Sequence, residues 1–207
     1  MDMAYGTTGN TFSSAPAGPP GEECGLSSVH SPNRLSMAVT YEWPFGKGKG
    51  RLTQSAIGGW PLNTVPEMQS GYPLAIVQPN DNGVIGASHM RPNGRGLPTT
   101  VDKPFAARLD AWINPAAFSQ APRFTFGNVC RTHSLRGPGQ VNWEVSLFKT
   151  FDVTERIKVQ FRAEALNFTN TPMFNGPNTT FTSPQFGLIS SQANFSRLVQ
   201  LGVRFFL

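Results

Sequence analysis

Charge is scarce in this sequence. Asp, Glu, Lys and Arg make up 14% of its 207 residues, against about 25% in an ordinary soluble domain. Long apolar runs are missing as well. No window approaches the roughly 18–20 consecutive apolar residues of a membrane helix, and the run LAIV at 74–77 is far too short. A helical membrane protein is therefore excluded. A membrane barrel is not, because its strands alternate and leave no long run. The opening MDMAYGTTGNTFSSAPAGPPGEEC has no basic n-region and no apolar h-region, so it does not read as a signal peptide. Cysteine is nearly absent. Cys24 and Cys130 lack CxxC spacing, which makes them poor zinc ligands. They read as two unrelated thiols or as a loop disulfide made in an oxidising compartment.

The net charge of +5 has no concentrated source. Lys47, Lys49 and Arg51 share a turn, Arg91 and Arg95 a loop, and Arg156, Lys158 and Arg162 a strand. This scatter is not the clustered basic footprint of a nucleic-acid binder, so no nucleic-acid partner is expected. His30, His89 and His133 form no HExxH and no metal spacing. Asp110, His133 and Ser134 can be strung into a triad, but triads are recognised by geometry. GKGKG (46–50) and PNGRG (92–96) lack the GKS or GKT ending of a phosphate cradle and read as turns. Sequons at Asn167, Asn178 and Asn194 carry meaning only in a eukaryotic secreted protein. No catalytic constellation assembles, so neither an enzyme nor a bound cofactor or metal is expected.

What is present is Gly (21), Pro (18), Phe (16) and Trp (4). Gly and Pro are the poorest helix formers, which disfavours a bundle. The aromatic content disfavours charged-type disorder. A strand-and-turn protein with an uncharged surface remains, and lipid is one solvent that tolerates such a surface.

Period-2 alternation marks the strands. Residues 34–43 set Leu35, Met37, Val39, Tyr41 and Trp43 against Arg34, Ser36, Ala38, Thr40 and Glu42. Residues 141–151 put Val141, Trp143, Val145, Leu147 and Phe151 on one face, broken by Lys149, opposite Asn142, Glu144, Ser146, Phe148 and Thr150. Residues 156–165 oppose Ile157, Val159, Phe161, Ala163 and Ala165 to Arg156, Lys158, Gln160, Arg162 and Glu164. Residues 198–207 oppose Val199, Leu201, Val203, Phe205 and Leu207 to Gln200, Gly202, Arg204 and Phe206. In a fifth segment, 57–68, Trp60, Leu62 and Met68 share a face that Pro61 and Pro66 interrupt, as at an edge or a bulge.

Short and long connections alternate. PFGKGKG joins the first two strands, and Asp152–Glu155 is a tight polar turn. The segments 69–140 and 168–196 are long and rich in Pro, Gly and Asn, with a short helix allowed over 103–112. Such lengths are uncommon in compact soluble domains. They fit an outer-membrane barrel with short periplasmic turns and long extracellular loops. Parity agrees: if the last strand descends, both short turns fall on the periplasmic side. Strands of about ten residues suit a tilted membrane strand. A soluble β-sandwich alternates similarly, and it remains the competing reading at this point. Unequal loops and aromatic ends of the apolar faces favour the barrel.

The run LRGPGQVNWEVSLFKTFDVTERIKVQFRAEALNFTNTPMFNGPNTTFTSPQFGLISS (135–191) resembles the C-terminal strands of bacterial TonB-dependent outer-membrane transporters of the Oar-like subgroup. YEWPFG (41–46), GGWPL (58–62), QSGYPL (69–74) and WINPAAF (112–118) are similar to the same family in the same order. The resemblance covers about residues 20–207. It implies a large barrel with an internal plug and an N-terminal part that contacts an inner-membrane energy-coupling protein. Neither that part nor the plug is found in these 207 residues. The chain is thus expected to be a C-terminal barrel fragment, not competent alone, whose partners are outer-membrane lipid and the missing barrel and plug. Residues 1–32 are expected as an irregular extracellular-loop remnant and 33–207 as about five antiparallel strands of an all-β transmembrane barrel.

The expected lipid-facing residues are Leu35, Met37, Val39, Tyr41, Val145, Leu147, Ile157, Val159, Phe161, Val199, Leu201, Val203 and Phe205. Glu144, Lys158, Gln160, Arg162, Glu164, Gln200 and Arg204 are expected towards the lumen. Trp43, Trp143 and Phe151 are expected in the aromatic belts, and Phe205, Phe206 and Leu207 as the C-terminal assembly signal. Family barrels usually end in Phe, whereas here Leu207 follows Phe205 and Phe206. The alternative is a soluble β-rich surface or glycan-binding module.

Overall fold

The computed structural model describes residues 25–42, 44, 58–79, 89–130, 132 and 134–206. Among these the strands are β1 (Arg34–Ser36), β2 (Val39–Glu42), β3 (Pro61–Gln69), β4 (Gln78–Pro79), β5 (His89–Met90), β6 (Asn93–Gly94), β7 (Phe118–Ser119), β8 (Gln140–Asp152), β9 (Lys158–Leu166) and β10 (Leu198–Phe206). One helical turn, α1 (Phe105–Arg108), and a short 3₁₀ turn at Pro115–Ala117 complete the elements. The fold is all-β, with antiparallel ladders. It divides into two compact units.

One unit is a sheet in which β1 and β2 lie beside β3, followed in order by β8, β9 and β10. β1 and β2 are one strand in one register, since Ser36 pairs Glu67 and Val39 pairs Thr64. The break between them has a chemical cause. Met37 N–H donates to the Pro66 carbonyl at 3.2 Å, but proline has no N–H to return the bond. The same residue explains why β3 tolerates an interior position. In an antiparallel ladder a residue's N–H and C=O point to the same neighbour. The donor missing at Pro66 is therefore lost on the β1–β2 side, while its pairing with Trp143 of β8 needs no donor. The segment expected at an edge or a bulge is thus an inner strand with one bond fewer. Pro61 is the first residue of β3, a position proline accepts.

The hairpin between β8 and β9 differs from expectation by two residues. The ladder runs to Asp152 opposite Lys158. Val153 and Thr154 both donate to the Ile157 carbonyl, and the Thr154 hydroxyl accepts from Ile157 N–H at 3.0 Å. Arg156 and Ile157 accordingly belong to the turn, not to a strand. The Thr154 side chain substitutes for a ladder partner and ends the strand early.

At the other end of the sheet, Gln69 pairs Gln140 and Leu166 pairs Leu198. Both long connections depart from this end. The one after β9 is fastened by asparagine. Asn167 is buried, with φ +49°, and its side chain accepts from Thr171 N–H and donates to the Phe195 carbonyl. Asn170 accepts from Arg197 N–H, and Asn194 accepts from Met173 N–H. Asn tolerates the left-handed region because its short side chain bonds locally.

The other unit holds the described part of residues 1–32 with Gly71–Pro138 and Phe174–Ser191. Its core is Ile76, Trp112, Ile113, Ala117, Phe118, Val129, Leu135 and Ile189. Phe118, Phe181 and Phe186 meet pairwise with centroids 5.5–6.2 Å apart, the tilted and edge-on geometry that the ring quadrupole favours. The helix expected over 103–112 is only α1. It starts after Pro104 without a side-chain cap, and Trp112 N–H bonds the Gly187 carbonyl instead of extending it. A Cβ on Gly71 would sit 1.9 Å from the Gly137 carbonyl oxygen. Only glycine permits that approach.

Cys130 is disulfide-bonded. Cys24, the one other cysteine of the sequence, lies outside the described residues. Near it in sequence, Gly25 forms a parallel bridge with Thr132. The Arg136 guanidinium donates to the carbonyls of His30 and Gly71 at 2.8 and 3.0 Å.

Candidate functional site

The register of the sheet unit sorts its side chains into two faces. One carries Leu35, Met37, Val39 and Tyr41 from the first strand. Beside them stand Leu62, Thr64, Pro66 and Met68 of β3, then Val141, Trp143, Val145, Leu147, Lys149 and Phe151 of β8. Val159, Phe161, Ala163 and Ala165 of β9 and Val199, Leu201, Val203 and Phe205 of β10 complete it. This apolar face crosses all the strands without a register slip, which would have moved a whole strand's set to the other side. It is uncovered: Leu201 is 82% exposed, Phe205 68% and Val199 60%. A soluble sandwich would bury such a face against a second sheet, and beyond this sheet the described residues form only the two-residue ladders β4–β5 and β6–β7.

Only two polar side chains interrupt the face, and each is satisfied on the spot. Thr64 accepts from the Trp143 indole N–H and donates to the Glu144 carbonyl at 3.2 Å. Lys149 is 6% exposed. Its ammonium donates to the Gly58 carbonyl and lies 5.9 Å from the Trp60 ring and 5.0 Å from Phe151. Its aliphatic stem fills the apolar row while its charge is held by a carbonyl and ring faces.

The opposite face is a hydrogen-bonded lattice. Ser36 donates to Glu67 and Thr40 to Asn63. Gln160 donates to Thr150 at 3.2 Å, and Gln200 to Glu164. Arg162 pairs Glu164 at 2.6 Å, and Lys158 pairs Asp152 at 3.3 Å. Glu144 lies on this face too, accepting from Asn142 at 3.3 Å.

Aromatic rings gather towards the two ends of the apolar face. Trp143 stacks edge-on with Phe168 near the long connections; Phe151 and Phe161 do so near the short turn. From residue 143 to 151 along β8 is about 27 Å at a rise of ~3.4 Å per residue. At a tilt of about 40° this projects to about 20 Å, comparable to the ~25 Å apolar band of outer-membrane barrels.

Every residue of the two sets expected from sequence falls on its common face, with one correction. Ile157 lies in the turn, its carbonyl closing the hairpin, so it is not a strand residue. Trp43 and Leu207 lie outside the described residues. Phe205 and Phe206 point to opposite faces, as neighbours in β10 must. Leu62 and Met68 join the apolar face although the two prolines of β3 obscured their strand.

Among the described residues the other motifs build no site, and GKGKG (46–50) lies outside them. His133 lies outside the described residues. The side-chain oxygens of Asn167, Asn178 and Asn194 each accept a backbone N–H, from Thr171, Thr180 and Met173. Among the described residues no group of three or more His, Cys, Asp or Glu is placed to hold a metal.

An antiparallel sheet with one uncovered apolar face and one polar, hydrogen-bonded face is the wall of a transmembrane β-barrel. The chain belongs to the family described as "Outer membrane beta barrel domain", whose model matches residues 1–200, and its place is the bacterial outer membrane. No curated protein and no solved structure matches it.

Proposed function

We propose that the chain forms the C-terminal wall of a TonB-dependent, Oar-like outer-membrane transporter, with its apolar face on lipid and its polar face on the lumen. The observation that carries this reading is the combination of a continuous apolar face with two open edges. Among the described residues the first strand has β3 as its only strand partner, and β10 has β9. Unpaired backbone in lipid costs several kcal/mol per group, so these edges require further strands. Closing the five-strand unit on itself gives a cylinder narrower than the roughly eight strands whose side chains just fill the interior. β1–β2 and β10 also run in the same direction, so closure by antiparallel pairs takes an odd number of additional strands and an even total, the rule for bacterial single-chain barrels.

The assignment to the Oar-like subgroup is supported by motifs that lie far apart in sequence and meet in space. QSGYPL and LRGPG are joined by the Pro73–Arg136 bridge and by Leu74 N–H to the Leu135 carbonyl at 2.8 Å. The Trp112 indole of WINPAAF donates to the Arg136 carbonyl at 2.8 Å. In this reading the long connections lie outside the cell. The plug and the contact with the inner-membrane energy-coupling protein come from parts of the barrel protein beyond these residues.

Reconstitution tests the need for those parts. The purified 207-residue chain in liposomes is expected to give no heat-resistant folded monomer in detergent gels and no solute uptake. A heat-resistant monomer with uptake would make the chain a complete small barrel and overturn the proposal.

A further inference from the structure

We propose that Arg197, at the rim of the apolar face beside the long connections, binds the phosphate group of an outer-leaflet glycolipid. This rests on the reading above, in which the apolar face meets lipid and the long connections lie outside the cell. The register places the residue. Val145, Ala165 and Val199 form one row across β8, β9 and β10. Continued two residues outward, the same row positions hold Trp143, Asn167 and Arg197. Side chains two apart share a face, so Arg197 is in phase with Val199 and level with the indole that marks the aromatic belt.

The surroundings hold this arginine without neutralising it. Its backbone N–H donates to the Asn170 side chain at 2.9 Å, and one guanidinium N–H donates to the Phe168 carbonyl at 3.4 Å. The Asn167 side chain braces the same loop, bonding Thr171 and the Phe195 carbonyl. Arg197 is exposed, and among the described residues no carboxylate is within ion-pair distance of it. The apolar face itself carries no Asp or Glu among the described residues. A guanidinium has five donors, and one long bond to a carbonyl leaves most of them for an anion.

The flanks select a lipid as the source of that anion. The Phe168 ring, edge-on to Trp143 at 6.2 Å, is exposed next to the carbonyl that Arg197 reaches. Phe195, two residues before Arg197, is 90% exposed. Rings at this level sit at the membrane interface, where the phosphates of lipid headgroups lie above their acyl chains. The planar donor fork of arginine matches phosphate oxygens, while the rings meet the chains below. A soluble phosphate would use the first contact and not the second.

The test uses the assembled barrel in a neutral detergent without reductant, with an environment-sensitive dye on Phe195→Cys as a local reporter. Bisphosphorylated lipid A is expected to half-saturate the dye at a concentration at least about tenfold lower than its dephosphorylated form, the scale of one hydrogen bond to a charged group. Arg197→Gln should remove that difference and Arg197→Lys should retain part of it, whereas Arg204→Gln on the polar face should leave it unchanged. Inorganic phosphate at the same concentrations should not compete; full competition would overturn the lipid as occupant. Equal half-saturation by both lipids, or a difference that survives Arg197→Gln, would overturn the site. Oxygen contact of a nitroxide at Val199 in bilayers separates the two failures. If that contact is kept, the wall with its lipid face stands without the site; if it is absent, the barrel reading falls and the site with it.

Discussion

Leu201→Arg is expected to cost the folded barrel about 2–4 kcal/mol, while Gln200→Arg, one residue away, leaves it nearly intact. Leu201 is in the middle of β10, opposite Ala163 and on the apolar face. At that depth an arginine would sit near the bilayer midplane with no partner. Gln200 is on the polar face, where its amide donates to Glu164, and an arginine there keeps a donor for the same carboxylate. Val159→Arg should fall between the two, at about 0–1 kcal/mol. Val159 is the second residue of β9, level with Phe151 and Phe205, so its side chain reaches the interface. The measurement is the denaturant midpoint of the heat-resistant band in the full barrel. Equal losses at 200 and 201 would contradict the division into two faces.

Cys130→Ser should loosen the unit that contains the long connections and leave the sheet ladder intact. Cys130 is in a disulfide, and the sequence offers Cys24 as its only intrachain partner. Closing a loop of about 100 residues removes roughly 4.7 kcal/mol of chain entropy from the unfolded state in the loop-closure account. The core that this bond supports is small. Trp112, Ile113, Phe118 and Ile189 are buried, but among the described residues the helical structure in this unit is one α-turn and one 3₁₀ turn. Limited proteolysis should therefore cut within residues 71–138 far faster in Cys130→Ser than in the parent. Alkylation of both thiols in the parent without reductant would remove the basis of this expectation.

The two faces were legible because period 2 is read within each strand separately. Leu35 to Tyr41, Val141 to Leu147 and Val199 to Phe205 each declare a face without knowledge of their neighbours. β3 was harder. Its prolines look like edge signals until the ladder shows that the donor absent at Pro66 faces only Met37. Lys149 looked like a break in the pattern, because the Gly58 carbonyl and the Trp60 ring that receive its charge come from another segment. The hairpin end was displaced by the hydroxyl of one residue, Thr154. Least legible was the packed unit of the long connections. Ile76, Trp112, Phe118 and Ile189 follow no period, and their contacts join segments separated by a strand pair of the other unit. No local pattern announces such a core.

The most direct measurement is a nitroxide scan of β10 in lipid bilayers, one label at a time from Val199 to Phe205, reading collision with oxygen and with a water-soluble nickel chelate. A strict two-residue oscillation is expected. Oxygen contact should peak at Val199, Leu201, Val203 and Phe205, and nickel contact at Gln200, Gly202 and Arg204. Nickel contact at every position, or no two-residue period in either signal, would contradict a wall with lipid on one side and water on the other.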